Sequence, residues 1–192
     1  MILTKRYFEA FRYAAELHTH QVRKGSDVPY LSHLMSVSAL VMEYGGTENE
    51  AIAGLLHDAA EDQGGYDTLD EIREHFGDEV AEIVEACSDT FDDPKPPWRL
   101  RKEAYLAHLK TAPNNVLMVS LADKLHNSRS ILTDVQNNGV AVFDKFRGKR
   151  EGTLWYYRSL VTVFKQVSTN AMVREFEHVV GCIEKMLEES LE

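Results

Sequence analysis

Apolar residues recur at helical spacing along almost the whole chain of 192 residues. This periodicity predicts helices over 3–20, 32–44, 48–62, 78–88, 98–110, 114–132, 152–166 and 169–189. The segment from Thr68 to Glu71 has a capping-box pattern, which predicts a further short helix ending near Gly77. No segment alternates apolar and polar residues for long enough to indicate a strand. The sequence therefore predicts an all-α fold, a single helical bundle.

Two stretches interrupt this pattern with proline, glycine and asparagine, at 89–97 and at 133–152. Both are predicted to be loops. The second is unusually long and contains Asn137, Asn138 and Gly139. Loops of this length are often functional or disordered.

Length and charge limit the classes of protein to which the chain can belong. The length suits one domain over 1–192 with a single sizeable core. Lys and Arg number 21 against 31 for Asp and Glu, a net charge of -10, which argues against broad attraction to nucleic acid or an anionic membrane. No apolar run approaches the ~20 residues that span a bilayer. Cys87 and Cys182 lie far apart without metal-ribbon spacing, and the charged N-terminus is no signal peptide, so a cytoplasmic protein is predicted.

The predicted helix over 48–62 has one strongly polar face. At about 100° per residue, His57, Glu61, Asp58 and Asp62 fall at about 0°, 40°, 100° and 140° around the axis. Small and apolar residues fill the opposite arc. Gly54 lies within the polar arc, and we interpret it as leaving room for an approaching ligand.

A second cluster surrounds Asp123, which follows the apolar run 116–119. A buried aspartate among apolar residues needs a compensating charge, which a metal ion would supply. A lone pair such as His57-Asp58 more often lies on the surface or caps a helix. With His33 and Asp123 added, the set indicates a divalent-metal site that cleaves a phosphate ester.

Five short motifs together resemble the HD-domain hydrolases of the RelA/SpoT type. They are Pro29-Tyr30-Leu31-Ser32-His33, Leu55-Leu56-His57-Asp58, Glu61-Asp62, Leu121-Ala122-Asp123-Lys124-Leu125-His126-Asn127 and the upstream His18-xx-Gln21-xx-Lys24-Gly25. The resemblance covers about residues 8–165. It leaves no room for the synthetase domain of the long bifunctional members, so the chain looks like a stand-alone small alarmone hydrolase, similar to the metazoan SpoT homologues.

The resemblance implies a stringent-response enzyme that removes the 3′-pyrophosphate from guanosine tetra- or pentaphosphate. It implies one manganese ion held by His33, His57, Asp58 and Asp123, a ligand set that suits a borderline-hard cation. Such an ion polarises the phosphoryl group and lowers the pKa of water. Glu61 and Asp62 would orient that water or take its proton.

The resemblance also indicates residues that would bind the nucleotide. These candidate substrate contacts are Arg23, Lys24, Lys124, Asn127, Arg129 and Ser130. Arginine can bind a phosphate bidentately, whereas lysine acts as a point charge. The basic run 145–150 is first interpreted as a solvated surface loop, with closure over the substrate phosphates as the alternative.

Three points stay open at this level. Leu34 replaces the usual proline after His33, and the segments 98–102 and 155–157 match the family poorly, which leaves the purine base open. A phosphatase or pyrophosphohydrolase of an adenosine alarmone or NADPH, and a non-catalytic nucleotide-binding module, are therefore the alternatives. Another divalent metal is possible, as is a homo-oligomer; no nucleic-acid or membrane partner is expected.

Overall fold

A computed structural model describes residues 2–92 and 94–189 and confirms the all-α fold. In chain order the helices are α1 Lys5–Leu17, α2 Leu31–Glu43, α3 Glu48–Leu56, α4 Ala59–Gln63, α5 Tyr66–Phe76, α6 Asp78–Cys87, α7 Trp98–Leu109, α8 Asn114–Asn138, a 3-10 helix Gly139–Lys145, α9 Lys149–Val167 and α10 Met172–Glu189. Within the described residues, the β structure consists of one isolated bridge between Val22 and Pro29. In the same part of the chain, no helix is both long and apolar enough to cross a bilayer.

The chain divides into two compact units. The first contains residues 1–95 and 112–123, and the second contains 96–111 and 124–192. The boundary at 123/124 falls within α8, whose first part belongs to the first unit. The assignment of residues 1–192 to one HD-type domain stays a prediction.

The packing of α2 against α3 forms the centre of the first unit. Thr47 begins α3 with a capping box, in which its hydroxyl accepts from the Glu50 N–H and the Glu50 carboxylate accepts from the Thr47 N–H. A Cβ on Gly54 would lie 3.0 Å from the Cα of Ser38 on α2. Gly54 is therefore required for close helix packing, and the sequence-based interpretation that it leaves room for a ligand is wrong.

The predicted continuous helix over 48–62 is interrupted at His57 and Asp58. Helix α3 ends at Leu56, and the short helix α4 begins at Ala59. His57 Nδ1 donates to the carbonyl of Gly54. In a continuous helix this carbonyl would instead accept from the backbone N–H of Asp58. The single polar face predicted for this segment is thus wrong, because the four polar residues lie on a turn followed by a short helix.

Helix α5 also begins before the predicted start. Its first residue is Tyr66, preceded by Gly65 with a positive φ of 63°. Thr68 is buried inside the helix and its hydroxyl donates to the carbonyl of Gln63, so it does not form the predicted capping box. The predicted end near Gly77 is confirmed.

The segment 133–152 of the second unit is mostly helical, so the predicted long loop is wrong. Helix α8 continues to Asn138, and Gly139 ends it with a φ of 68°, a conformation that glycine adopts without strain. Phe143 in the following 3-10 helix is 2% exposed. The side chain of Lys145 forms an ion pair with Asp134, which ties the basic run to α8.

Candidate metal centre

Two imidazoles and two carboxylates of the first unit converge on one point. His33 lies on α2, His57 and Asp58 on the turn between α3 and α4, and Asp123 on the first part of α8. His33 Nε2 lies 3.2 Å from Asp123 Oδ1, and His57 Nε2 lies 3.0 Å from Asp58 Oδ2. His33 Nε2 lies 3.6 Å from Asp58 Oδ2, and His57 Nε2 lies 3.6 Å from Asp123 Oδ1. Nitrogen and oxygen atoms therefore alternate around a small central space.

These separations fit the ligands of a single divalent cation. Metal–ligand bonds of about 2.1 Å in octahedral geometry place neighbouring ligand atoms about 3 Å apart. Ligand atoms of His33, His57 and Asp58 lie within 4.8 Å of one another. Both histidines are fully or almost fully buried, and Asp123 is 6% exposed. The close approach of two carboxylates, one buried and one partly buried, to two buried imidazoles is readily explained by a cation among them.

The orientation of His57 suits metal binding. Its Nδ1 lies 2.9 Å from the carbonyl oxygen of Gly54, which can only accept a hydrogen bond. Nδ1 therefore carries the hydrogen, and Nε2, which lies 3.0 Å from Asp58 Oδ2, is left to bind either a cation through its lone pair or a proton. A backbone carbonyl holding the distal nitrogen is a common arrangement for metal-binding histidines.

Without a metal ion, the same groups act on one another electrostatically. Burial alone would lower the pKa of His57, but the carboxylates of Asp58 and Asp123 outweigh it and hold that pKa well above its ordinary value. Burial alone would raise the pKa of Asp58, but the neighbouring His57 and His33 hold it well below its usual range. Protons therefore compete with a cation for this centre.

Two side chains that the sequence analysis quoted without assigning a role support the neighbouring carboxylates. The hydroxyl of Tyr30 donates to Asp58 Oδ2 at 2.6 Å, and Nε2 of Gln21 donates to Asp62 Oδ2 at 2.7 Å. Burial, and then the charge of Asp58, raise the pKa of Tyr30, so its phenol stays a donor. Both residues belong to the motifs quoted in the sequence analysis. Their place in those motifs, which also contain the candidate ligands, is the sequence feature that points to a role at the site.

The two predicted catalytic carboxylates lie on α4 and have different surroundings. Glu61 accepts hydrogen bonds from the N–H of Asp89 at 2.8 Å and from Nζ of Lys95 at 2.9 Å. It therefore anchors the segment after α6. Partial burial, and then the negative charge of Asp58, raise the pKa of Asp62. Of the two, Asp62 is better suited to accept a proton.

The predicted substrate contacts divide between the two units. In the first unit, the Arg23 guanidinium carbon lies 5.6 Å from the centre of the Tyr30 ring, and Lys24 is exposed. In the second unit, Lys124 lies over Tyr105, Arg129 pairs with Glu175, Ser130 donates to the His126 carbonyl at 3.0 Å, and Asn127 is half-buried. Their role in substrate binding stays a prediction.

Comparison with known proteins identifies similar sequences and a similar fold. A family model described as HD domain matches residues 10–154. A Xenopus tropicalis protein named guanosine-3′,5′-bis(diphosphate) 3′-pyrophosphohydrolase MESH1 is 37% identical over 126 residues, covering 64% of this chain and 68% of that protein. A Synechocystis protein named a probable guanosine-3′,5′-bis(diphosphate) 3′-pyrophosphohydrolase is 35% identical over 130 residues, covering 64% of this chain and 16% of the relative.

A solved structure of a metazoan ortholog of SpoT that hydrolyses ppGpp matches with a TM-score of 0.76. The match covers 93% of this chain and 96% of that chain, at 23% sequence identity. At this identity the likeness establishes the fold, and it extends over nearly all of both chains.

Proposed function

We propose, because the chain belongs to the HD-domain family, that it is a metal-dependent hydrolase that removes the 3′-pyrophosphate from guanosine 3′,5′-bis(diphosphate). The convergence of two imidazole nitrogens and two carboxylate oxygens at 3.0–3.6 Å carries this proposal. The names of the Xenopus and Synechocystis relatives support the choice of substrate. We further propose that the protein acts in the cytoplasm as part of the stringent response, as its resemblance to the RelA/SpoT-type hydrolases implies.

His33, His57, Asp58 and Asp123 would hold the metal, and we propose Mn²⁺. Two neutral imidazoles and two carboxylates suit a cation of intermediate hardness. When bound, such a cation polarises the phosphoryl group and makes water a better nucleophile at neutral pH. The carboxylates balance the two charges of the ion, which favours binding in a buried position.

The remaining steps fall to side chains of the first unit. Asp62 accepts the proton of the attacking water, since it lies one helical turn from the ligand Asp58, whereas Glu61 is engaged by Lys95 and the Asp89 N–H. Arg23 and Lys24 bind phosphate oxygens, because the substrate carries several negative charges that the acidic chain must offset locally.

The reaction consumes one water molecule. Its oxygen forms a bond to the phosphorus attached to the 3′ oxygen, and the bond between that phosphorus and the 3′ oxygen breaks. The electron pair stays on the 3′ oxygen, which takes up a proton to become a hydroxyl. Guanosine diphosphate and pyrophosphate are the products.

A substrate panel tests the proposal. We expect the protein with Mn²⁺ to release pyrophosphate from guanosine 3′,5′-bis(diphosphate) in preference to the adenosine counterpart and to NADPH, with products separated by chromatography. Preferred release of orthophosphate from NADPH, or turnover of none of the three, would contradict it.

Variants link that activity to the metal centre. Asp58→Asn and Asp123→Asn should lower Mn²⁺ affinity and kcat/KM by more than about 100-fold, because each removes a charged ligand. Asp70→Asn is the matched control, since Asp70 is exposed and pairs with Arg73 on α5. Equal activity of all three variants would contradict the assignment of the ligands.

A further inference from the structure

The segment 18–30, between α1 and α2, brings two polar side chains next to each other. Its two arms are joined by backbone hydrogen bonds from the Arg23 N–H to the Val28 carbonyl at 2.8 Å and from the Tyr30 N–H to the Gln21 carbonyl at 2.9 Å. The second bond places Gln21 and Tyr30 directly opposite each other. A displacement of one arm would therefore move both residues.

These two residues contact different carboxylates. The Tyr30 hydroxyl donates to Asp58, a candidate metal ligand, and the Gln21 amide donates to Asp62, the candidate proton acceptor. The hydrogen bonds are 2.6 Å and 2.7 Å long, which is typical of donors to ionised acceptors. One segment thus holds both carboxylates.

His18 fixes the orientation of both donors. Its ring is stacked on the Tyr30 ring, with centres 5.5 Å apart and planes at 22°. Its Nδ1 lies 2.6 Å from Oε1 of Gln21, which also accepts from Nε2 of Gln63 at 2.6 Å. With two donors at its oxygen, the Gln21 amide must direct its nitrogen towards Asp62. His18 is 2% exposed, so the arrangement is anchored in the interior.

The shortness of α4 explains why this support is needed. Asp58 is the N-cap of this five-residue helix, and its carbonyl accepts from the Asp62 N–H at 3.0 Å, so a single helical turn links the two residues. A helix this short is not stable by itself. The distance between the two carboxylates therefore depends on contacts from outside the helix.

We propose that Tyr30 and Gln21 are positioning residues that together set the place of Asp62 relative to the metal centre. Tyr30 orients the carboxylate of Asp58 for the cation, and Gln21 holds Asp62 where it can take the proton. This inference rests on the proposed function, because it assigns a purpose to the spacing between ligand and proton acceptor. Neither residue contacts the reacting atoms in this role.

Two variants separate the contributions of the two residues. Tyr30→Phe keeps the ring that stacks on His18 but removes the donor, so we expect Mn²⁺ affinity, measured by titration calorimetry on metal-free protein, to fall about 10–100-fold. Gln21→Met keeps the length of the side chain but removes the amide that donates to Asp62. We expect its Mn²⁺ affinity and its KM to be unchanged, its kcat to be about 10-fold lower, and the acidic limb of its kcat–pH profile to be shifted.

Matched controls remove the same kinds of hydrogen bond elsewhere in the first unit. Tyr13 donates to Glu71 at 2.8 Å and Asn49 donates to Glu79 at 2.5 Å. Tyr13→Phe and Asn49→Ala should leave Mn²⁺ affinity and kcat at wild-type values. Wild-type Mn²⁺ affinity in Tyr30→Phe, or a kcat in Gln21→Met equal to that of Asn49→Ala, would overturn the proposal.

The two readouts keep this proposal separate from the proposed function. If wild-type protein binds Mn²⁺ but hydrolyses none of the nucleotides, the proposed function fails. The Mn²⁺ affinities of wild type and Tyr30→Phe still decide whether Tyr30 positions the ligand, since they require no turnover.

Discussion

Replacing Gly54 with alanine places a methyl group between α2 and α3. The added Cβ would lie 3.0 Å from the Cα and 3.2 Å from the backbone nitrogen of Ser38, where ordinary contacts are 3.4–4 Å. These are backbone atoms, so no side-chain rotation can relieve the contact. The two helices must separate by a few tenths of an ångström.

The size of the effect follows from two opposing contributions. Overpacking of a well-packed core costs about 1–3 kcal/mol. The higher helix propensity of alanine returns about 1 kcal/mol. Gly181 on α10 is the matched control, because a Cβ there meets nothing within 4 Å. Gly181→Ala should therefore stabilise by up to about 1 kcal/mol, and the two variants should differ by about 1–3 kcal/mol, the overpacking cost alone.

Urea unfolding of metal-free protein measures both free energies, and Mn²⁺ titration tests the consequence for the site. Helix α2 carries His33, and α3 leads directly to His57, so we expect weaker Mn²⁺ binding in Gly54→Ala. An increase in stability equal to that of Gly181→Ala, with unchanged Mn²⁺ affinity and a raised KM, would refute this reasoning. It would instead favour a glycine that leaves room for a ligand.

Two further predictions concern pH and the second unit. His57 has a raised pKa in the folded protein, so its contribution to stability is complete below about pH 6.5 and is lost as the pH rises through the folded value. Asp58 has a lowered pKa, so its contribution is complete above about pH 4 and is lost as the pH falls through the folded value. The free energy of unfolding of metal-free protein should therefore fall above neutral pH, whereas that of protein saturated with Mn²⁺ should not. Urea titrations at a series of pH values, with chelator or with Mn²⁺, measure both. A free energy of unfolding of the metal-free protein that rises above pH ~7 contradicts the prediction. Phe143→Ala should cost about 3–5 kcal/mol, because the ring is buried, while Val140→Ala in the same 3-10 helix, 41% exposed, should change stability by less than about 0.5 kcal/mol. Equal unfolding midpoints for these two variants would mean that the segment is not part of a packed unit.

The differences between prediction and structure have identifiable physical causes. Asn137, Asn138 and Gly139 led to the prediction of a loop, but Asn137 and Asn138 are the last two residues of α8, and Gly139 ends that helix. The residues that follow resume a helical course, because Phe143 is buried in the second unit. Turn-forming residues indicate where a helix ends. They do not indicate whether the segment that follows packs against the core.

The amino-acid sequence by itself determined the all-α fold, because helical periodicity is a property of neighbouring residues. It also supplied the imidazoles and carboxylates of the candidate metal centre, since the choice of ligand depends on residue type. Tertiary structure alone decided how these groups are held. Gly54 is explained by contact with another helix. Asp58 receives a hydrogen bond from Tyr30, 28 positions away in the sequence, and Asp62 receives one from Gln21, 41 positions away. Such contacts depend on how distant segments pack, which no local pattern encodes.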